Sequence, residues 1–364
     1  MRGRFLFFMV GIFLCVNVWG VQTSFASSVP LIQQKHVKKS TVNALKNQKN
    51  TSKNTAKKAS KNVQKKVKKN KKISTKKTAS KIVQKNKKQT IRVRKNNSSF
   101  LSANYNTTKL PLRSSQALVV TESGKVLFEK NADSVQPIAS ITKLMTAMVV
   151  LDANLDMDEV IEITEEDVDR LKNGRSRLKI GTRLSRATAL LLALMSSENR
   201  AASALGRNYP GGMDSFVADM NQKAQELGMK HSYFAEPTGL SSQNVSNAFD
   251  LSKMVLAAAK YPAIRYFSTM NEVDVALGKR VQTFHNTNAL IDNKAWQIGI
   301  SKTGYISEAG RCLVMQAIVA NKPVVIVLLD SLGKCSREGD ANRIKTWMEN
   351  KAQLTAMNAH SNPR

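Results

Sequence analysis

Acidic residues are missing from the first third of this sequence. No Asp or Glu precedes Glu122 in a chain of 364 residues that holds 57 Lys plus Arg and 26 Asp plus Glu. Residues 1–113 carry 28 of the basic residues, so residues 114–364 hold 29 basic and 26 acidic residues, a net charge of about +3. This distribution excludes a basic enzyme whose charge covers the whole fold, and it places the folded domain in residues 114–354.

Large apolar residues are scarce in residues 35–97, and no aromatic residue lies between Lys35 and Lys95. Such a segment cannot bury enough surface to offset its ordering entropy, so residues 27–113 are expected to form a disordered, lysine-rich arm. Without aromatic rings for base stacking, no specific nucleic acid is expected as a partner. We expect the arm to bind an anionic wall polymer or a membrane surface through its charge; a solvated spacer is the alternative.

Long apolar runs are absent except at the N-terminus. Residues 1–26 combine a charged start, a short apolar run and small residues before a cleavage point after Ala26, which is typical of a secretory signal peptide. An uncleaved membrane anchor is the alternative, but the run is short for a bilayer span and Asn17 interrupts it. The sequence therefore predicts export to the periplasm through a cleavable signal.

Cysteine is also rare, with three in the chain, and signal cleavage would remove Cys15. Export would permit a disulfide between Cys312 and Cys335, but their spacing does not show that they meet. We expect both thiols to be free.

The residue patterns of several enzyme classes are missing. The four histidines have no metal-ligand spacing: His36, His231, His285 and His360. The chain also contains no Gly-x-Ser-x-Gly elbow, no phosphate-binding loop and no dinucleotide fingerprint. Metal-dependent and nucleotide-dependent chemistries are therefore poorly supported.

Residues 114–364 begin and end with strand patterns around a helical middle. Strands are predicted at 117–120 and 125–128, and the same sheet is expected to resume with strands at 273–275, 281–285, 296–302, 313–319 and 324–329. Helices are predicted at 138–151, from Thr164, from Ser185, at 214–227, at 249–260 and at 341–351, with a frayed tail at 355–364.

The helix at 138–151 is apolar on nearly all sides, so we expect it to run through the middle of the domain. This order of elements predicts an α/β (α+β) fold, in which an antiparallel sheet is flanked by the first and last helices and an all-helical lobe lies beside it. A cleft between sheet and lobe is the expected place for a site.

Three short motifs occur in order within this frame. They are Ser140-Ile-Thr-Lys143, Ser197-Glu-Asn199 and Lys302-Thr-Gly304. Each is weak alone, but their order, spacing and structural setting are the arrangement of penicillin-recognising serine enzymes.

The chemistry fits these positions. Ser140 and Lys143 are one helical turn apart, so both lie on one face. A hydroxyl becomes nucleophilic when a base takes its proton, and a lysine can do so if burial and a second cation, here Lys302, lower its pKa. The alternative is a Ser and a Lys without function in a helix, a Ser-Glu-Asn in a loop and a Lys at a strand end. This lysine lies one turn into an otherwise apolar helix, however, and buried unpaired lysines are rare.

The remaining motif residues can serve the same reaction. Ser197 can relay a proton, and the Asn199 amide can hold a substrate carbonyl. The start of the helix offers backbone N–H groups to a developing oxyanion. Gly304 lets a substrate backbone lie along the strand edge.

Residues 137–153, 190–202, 236–240 and 302–304 closely resemble the D-alanyl-D-alanine peptidases among the low-molecular-mass penicillin-binding proteins. The resemblance covers about residues 114–352 and implies the β-lactamase/transpeptidase-like fold. The substrate it implies is the D-alanyl cross-link between peptidoglycan stem peptides, with β-lactams as covalent inhibitors and no metal or organic cofactor.

The resemblance also implies roles for the site residues. Ser140 would be the acylated nucleophile, Lys143 its base, Ser197 and Asn199 the second motif, and Lys302, Thr303 and Gly304 the third. The backbone N–H groups of Ser140 and Tyr305 would form the oxyanion hole.

Enzymes of this family that have different activities differ in how much chain follows the third motif. Only 60 residues come after Gly304, too few for the second β-rich domain and C-terminal anchor usual in carboxypeptidases of this family, so we expect an endopeptidase. A D-alanyl-D-alanine carboxypeptidase remains the alternative among enzymes. A non-catalytic wall-binding protein tethered by its arm is the other alternative, although the three intact motifs argue against it.

A β-lactamase would need a base for rapid deacylation. Glu236 lies at a suitable distance after Asn199, but Thr-Gly-Leu comes after Pro237, so we expect Glu236 to be structural and the penicilloyl-enzyme to be long-lived.

Overall fold

The computed structural model describes residues 110–360, with side chains described through residue 358. The predicted signal peptide and residues 27–109 of the predicted arm lie outside the described residues. Within the described range, every helix is too short or too polar to cross a lipid bilayer.

The strands, numbered in chain order, are β1 (Ser114–Thr121), β2 (Val126–Lys130), β3 (Gln136–Pro137), β4 (Val160–Glu162), β5 (Arg183–Ser185), β6 (Val245–Ser246), β7 (Glu272–Leu277), β8 (Arg280–His285), β9 (Gln297–Ile306), β10 (Gly310–Val319) and β11 (Lys322–Ser331). The α-helices are α1 (Lys143–Asp152), α2 (Arg186–Met195), α3 (Asn199–Arg207), α4 (Gly212–Glu226), α5 (Ala248–Ala258), α6 (Pro262–Thr269) and α7 (Ser336–His360). Single 3₁₀ turns occur at Ala139–Thr142, Glu165–Asp167 and Ala289–Asp292.

The central sheet has five strands in the order β2-β1-β11-β10-β9, and every neighbouring pair is antiparallel. One face packs against α7 and the other against α5, so β10 and β11 are apolar on both sides instead of alternating. The predicted α/β (α+β) fold, with an antiparallel sheet flanked by helices, is confirmed. The flanking pair was expected to be the first and last helices, but α5 takes the place of α1 on the second face. Strand β9 lies at one edge, which leaves a free backbone row beside the third motif.

Helix α1 is the buried centre of the domain. Every residue from Lys143 to Val150 is buried, as the all-round apolar pattern predicted. The α-helix begins at Lys143, however, and not at residue 138. The preceding residues form the 3₁₀ turn, and Ala139 has a φ of 48°, a left-handed conformation that an α-helix cannot contain.

The helical lobe consists of α2, α3 and α4 beside α1. Ser185 caps α2 as predicted, because its hydroxyl accepts a hydrogen bond from the Thr188 N–H. The predicted helix from Thr164 is wrong: its capping box holds a single 3₁₀ turn, and Val168 is already extended. A loop continues from there to β5, and Asp169 stabilises it by accepting hydrogen bonds from the N–H groups of residues 171, 172 and 174.

Three further predictions about elements need correction. Strands β7 and β8 form a separate two-stranded ribbon and do not continue the central sheet. The third motif lies inside β9 and not at its end, because the strand runs on to Ile306. Helix α7 extends from Ser336 to His360, so residues 355–360, expected to be frayed, are helical.

Both cysteines of the described part are free, as expected. Cys312 is buried and Cys335 is exposed. Burial raises the pKa of the Cys312 thiol to about 12, so this thiol is unreactive at neutral pH.

Candidate active site

The predicted nucleophile and base are in contact. Lys143 Nζ lies 2.8 Å from Ser140 Oγ, and Ser140 is half-buried in the 3₁₀ turn that packs against β9. The left-handed Ala139 immediately before Ser140 is a strained backbone position, of the kind that tertiary contacts must hold in place.

Two glycines pack directly against the backbone of that turn. A Cβ on Gly239 would lie 2.0 Å from the Ala139 carbonyl oxygen, and one on Gly304 would lie 2.9 Å from the Ser140 nitrogen. Gly304 is therefore required where β9 meets the Ser140 turn, a reason additional to the free strand edge considered in the sequence. The Ser140 N–H and the residues around Gly304 lie side by side, as an oxyanion hole would need.

Lys143 is completely buried and has three polar neighbours. Its Nζ lies 2.8 Å from Ser140 Oγ, 2.8 Å from Asn199 Oδ1 and 2.5 Å from the Thr238 carbonyl oxygen. Burial lowers the pKa of Lys143 to about 7, while the charges of Glu236 and Glu198 act in the opposite direction. A neutral amine here can donate to Asn199 and Thr238 and still accept the Ser140 hydroxyl proton.

The second and third motifs meet through another lysine. Lys302 Nζ donates to Ser197 Oγ at 2.9 Å and to the Thr303 carbonyl at 3.0 Å. Lys302 is almost fully buried, and its pKa lies well below the usual value because of burial and the positive charges of Lys143 and Arg337. The sequence predicted that Lys302 would lower the pKa of Lys143. Burial is instead what lowers the pKa of Lys143, and the charge of Lys143 lowers the pKa of Lys302.

These contacts link the predicted site residues Ser140, Lys143, Ser197, Asn199, Lys302, Thr303 and Gly304. Tyr305 follows Gly304 in β9 and takes no part in them. Ser197 and Asn199 are half-buried, Thr303 is buried and donates to the Thr287 hydroxyl at 2.6 Å, and Tyr305 is 57% exposed. A cavity of about 530 Å³ opens beside Asn199 and Thr238, with residues 165–171 forming another wall.

Glu236 has the structural position expected for it. Its carboxylate accepts hydrogen bonds from the backbone N–H groups of Thr238, Gly239 and Ser241 and from the Asn244 amide. These donors shape the loop that supports the Ser140 turn, and they leave the carboxylate occupied.

Two arginines lie near the third motif. Arg311 of β10 lies over the Tyr305 ring at 4.6 Å. Sequence reasoning missed Arg337 at the start of α7, which is buried, approaches the Gly304 carbonyl at 3.4 Å and adds positive charge near Lys302. No spacing rule connects Arg337 to the motifs, since the fold alone brings α7 beside β9.

Within the described residues, no group of three His, Cys, Asp or Glu side chains is placed to hold a metal ion.

Comparison with known proteins identifies a family. Residues 102–333 match the peptidase S11 family, described as D-alanyl-D-alanine carboxypeptidase. The chain belongs to this family. It is therefore a hydrolase of the serine D-Ala-D-Ala peptidase type, and the predicted β-lactamase/transpeptidase-like fold is confirmed.

Individual relatives agree with the family. A D-alanyl-D-alanine endopeptidase of Pseudomonas aeruginosa is 49% identical over 251 residues, which cover 68% of this chain and 81% of that protein. The DD-transpeptidase of Streptomyces K15 is 28% identical with a TM-score of 0.61, covering 65% of this chain and 97% of that one. Penicillin-binding protein D2 of Listeria monocytogenes, solved with bound cefotaxime, is 28% identical with a TM-score of 0.58 and the same coverages.

Proposed function

We propose that this protein is a DD-endopeptidase that cleaves the D-alanyl cross-links of peptidoglycan through an acyl-enzyme on Ser140. The observation that carries the proposal is the 2.8 Å contact between Ser140 Oγ and a fully buried Lys143 amine whose pKa is about 7. The similarity to the Pseudomonas endopeptidase supports cross-link cleavage over other reactions of the family.

In the first step, neutral Lys143 takes the Ser140 proton and Ser140 Oγ forms a bond to the D-alanyl carbonyl carbon. The Ser140 and Tyr305 N–H groups stabilise the oxyanion. The C–N bond then breaks, and Lys143 gives up the proton it took from Ser140, which passes through the Ser197 hydroxyl to the leaving amine; Lys302 holds that hydroxyl in place. Water attacks the resulting ester, and Lys143 again serves as the base, which frees the stem peptide and Ser140.

The free edge of β9 positions the substrate in this scheme. The stem peptide lies along the edge as an added strand, and the Asn199 amide holds its carbonyl group. Lys302, Thr303 and Arg337 supply donors and positive charge for a carboxylate on the leaving side.

Replacing Ser140 by Ala tests the proposal directly. We expect complete loss of covalent labelling by fluorescent penicillin and of cross-link cleavage in isolated muropeptide dimers. Ser123→Ala, in the β1–β2 turn, is the matched control and should leave both intact. Cleavage that survives in the Ser140 variant would overturn the assignment, and normal folding with no labelling of the unaltered protein would favour the non-catalytic alternative.

The carboxypeptidase alternative rests on the family description. Mass analysis of products separates the two reactions, because an endopeptidase converts dimers to monomers whereas a carboxypeptidase removes a terminal D-alanine from pentapeptides. Release of terminal D-alanine with dimers left intact would replace our proposal.

The position of Glu236 supports a long-lived penicilloyl-enzyme. Its carboxylate is occupied by backbone donors and is not free to activate a water molecule. We expect labelled penicillin to remain bound for many minutes; rapid turnover of a chromogenic β-lactam would contradict this.

We further propose that the protein is exported to the periplasm and that its lysine-rich arm binds an anionic wall polymer. The support is the signal-like N-terminus and the absence of any acidic residue before Glu122. Binding to purified sacculi should weaken as salt rises from about 0.05 to 0.5 M, since screening reduces charge attraction. Salt-insensitive binding, or a preference for anionic vesicles over sacculi, would contradict it.

A further inference from the structure

Glu198 is a buried carboxylate between two residues of the active site. Its neighbours in the chain point to the lysines: Ser197 Oγ accepts from Lys302 and Asn199 Oδ1 accepts from Lys143. Glu198 points the other way and is only 6% exposed. Arg177 Nε donates to one of its oxygens at 2.9 Å, and Ser176 Oγ donates to the other at 2.7 Å.

A buried carboxylate is costly unless it is paired, so these two contacts stabilise the ionised form of Glu198. Both come from the loop between β4 and β5, which contains no part of the three motifs. The Glu198 backbone is fixed as well, because its N–H donates to the Leu192 carbonyl at 3.0 Å.

Arg177 is itself held in place. Its guanidinium lies over the buried Phe284 ring of β8 at 4.3 Å, and its carbonyl accepts from Arg280 at 2.8 Å. The loop, the β7–β8 ribbon and the start of α3 are therefore joined at this one side chain.

Ser197 needs such support. Its φ is 59°, a left-handed conformation that is unfavourable for a serine and persists only when neighbouring groups hold it. Because the side chain and the backbone of Glu198 are both held by hydrogen bonds, the adjacent peptide units of Ser197 and Asn199 are held as well.

We propose that Arg177 is a positioning residue of the active site, which acts through Glu198 to orient Ser197 and Asn199 and to neutralise the Glu198 carboxylate beside Lys143. The inference rests on the proposed function, because its readout is acylation of Ser140.

The charge effect has a definite sign. Two carboxylates lie near Lys143: Glu198 at the start of α3 and Glu236 in the loop before β6. Two cations lie on the side of β9: Lys302 in that strand, and Arg337 of α7 next to Lys302. Glu198 raises the pKa of Lys143, and Glu236 is already occupied by backbone donors. Loss of Arg177 leaves Glu198 uncompensated and so raises this pKa further, whereas an uncharged residue 198 lowers it.

The test is a mutant cycle read by the rate of acylation with fluorescent penicillin from pH 5.5 to 9. Because the neutral amine is the base, a higher pKa moves the acid limb to higher pH. Arg177→Ala should move the acid limb of the pH profile to higher pH, so that acylation is about tenfold slower at pH 6. On the alkaline plateau, where Lys143 is neutral in both proteins, the acylation rate should still fall, by a smaller factor of about three or more. Glu198→Gln should shift the limb downward. Arg177→Ala in the Glu198→Gln background should change the rate less than about twofold.

Arg175→Ala is the matched control, since it removes the same charge from an exposed position in the same loop. It should leave both limb and plateau unchanged. Arg177→Lys, which retains the charge, should restore most of the limb position.

Several results would overturn the inference: an unshifted limb in Arg177→Ala, an equal loss in both backgrounds, or the same effect from Arg175→Ala. A thermal melt would show whether Arg177→Ala folds. If it does not, the other two variants decide: Glu198→Gln should move the acid limb to lower pH, and Arg177→Lys should keep most of the original limb position. Failure of the unaltered protein to label at all would instead refute the proposed function.

Discussion

In the mechanism that we propose, the protonation state of Lys143 decides whether Ser140 can react. Its amine is excluded from water, and burial lowers its pKa to about 7. At a pH below this value the ammonium form predominates and cannot take the hydroxyl proton. Activity should therefore rise with pH through about 7, the direction expected for a base that works in its neutral form.

Replacing Lys143 by Arg tests this at the residue scale. A guanidinium keeps its proton at any usable pH, so we expect acylation to fall by about 10³-fold or more, with no recovery up to pH 9. The second-order rate of penicillin labelling is the measurement. Lys130→Arg is the control, because Lys130 also donates to backbone carbonyls, those of Leu112 and Ser114, but away from the site. Recovery of the Lys143 variant at high pH would mean that another group is the base.

Contacts between residues were predictable where a sequence motif fixes their spacing. Ser140 and Lys143 are in contact, and Ser197 and Asn199 meet the two lysines, as the three motifs implied. Arg177 and Arg337 could not be found in this way. Each reaches the site from a loop or helix that the tertiary fold alone brings near.

At the scale of elements, the Ser140 turn depends on the loop that holds Gly239. This glycine has a φ of 80°, and a Cβ would overlap the Ala139 carbonyl at 2.0 Å. Gly239→Ala should therefore destabilise the protein by about 3 kcal/mol or more and displace Ser140, slowing acylation beyond the loss of folded protein.

Gly124→Ala is a matched control for that change. Gly124 also has a φ of 80°, but nothing lies within 4 Å of its missing Cβ. It should cost only the left-handed strain, about 1 kcal/mol, and leave acylation intact. Thermal melts and penicillin labelling of both variants check this, and equal effects in the two would show that backbone strain, not close approach, explains Gly239.

The loop between β4 and β5 also contacts the sheet side of the site. Lys172 Nζ lies 2.5 Å from Glu308 in the β9–β10 turn, so an ion pair joins lobe and sheet next to the third motif. The pKa of Glu308 falls to about 2, with its hydrogen bond from Lys172 as the largest cause.

We expect Lys172→Glu to separate loop and turn by repulsion. Cleavage of cross-linked dimers should change at least three-fold in KM, whereas acylation by the smaller penicillin should change less than twofold. The charge-swapped double variant, Lys172→Glu with Glu308→Lys, should restore the original KM. A lack of rescue would mean that the effect does not pass through this pair.

Element prediction failed where tertiary contacts override local pattern. The capping signature at Thr164 is real, but Asp169 then turns the chain, so one 3₁₀ turn forms instead of a helix. The apolar run before Lys143 looks helical, yet packing of the Ser140 turn against Gly239 and Gly304 imposes a left-handed residue at Ala139. The long strands and α1 were predictable, because burial on all sides leaves a continuous apolar run.

At the scale of the whole molecule, charge is divided between two regions. Residues 1–113 carry 28 basic residues and no acidic ones, whereas the rest of the chain has a net charge of about +3. The nearly balanced domain has little net charge with which to attract a polyanion, so our proposal assigns binding of the wall polymer to the arm.

This division predicts that wall binding and chemistry can be separated. We expect the full chain with the lysines of residues 35–95 replaced by glutamine to cleave soluble cross-linked dimers at an unchanged kcat/KM, since no site residue is altered. On intact sacculi at about 0.05 M salt, the same variant should be at least tenfold slower, because it loses the electrostatic concentration on its substrate. The difference should vanish at about 0.5 M salt, where the unaltered arm is screened. Equal rates on sacculi at low salt would show that the arm is only a spacer, and a loss on soluble dimers would show that it contributes to the site itself.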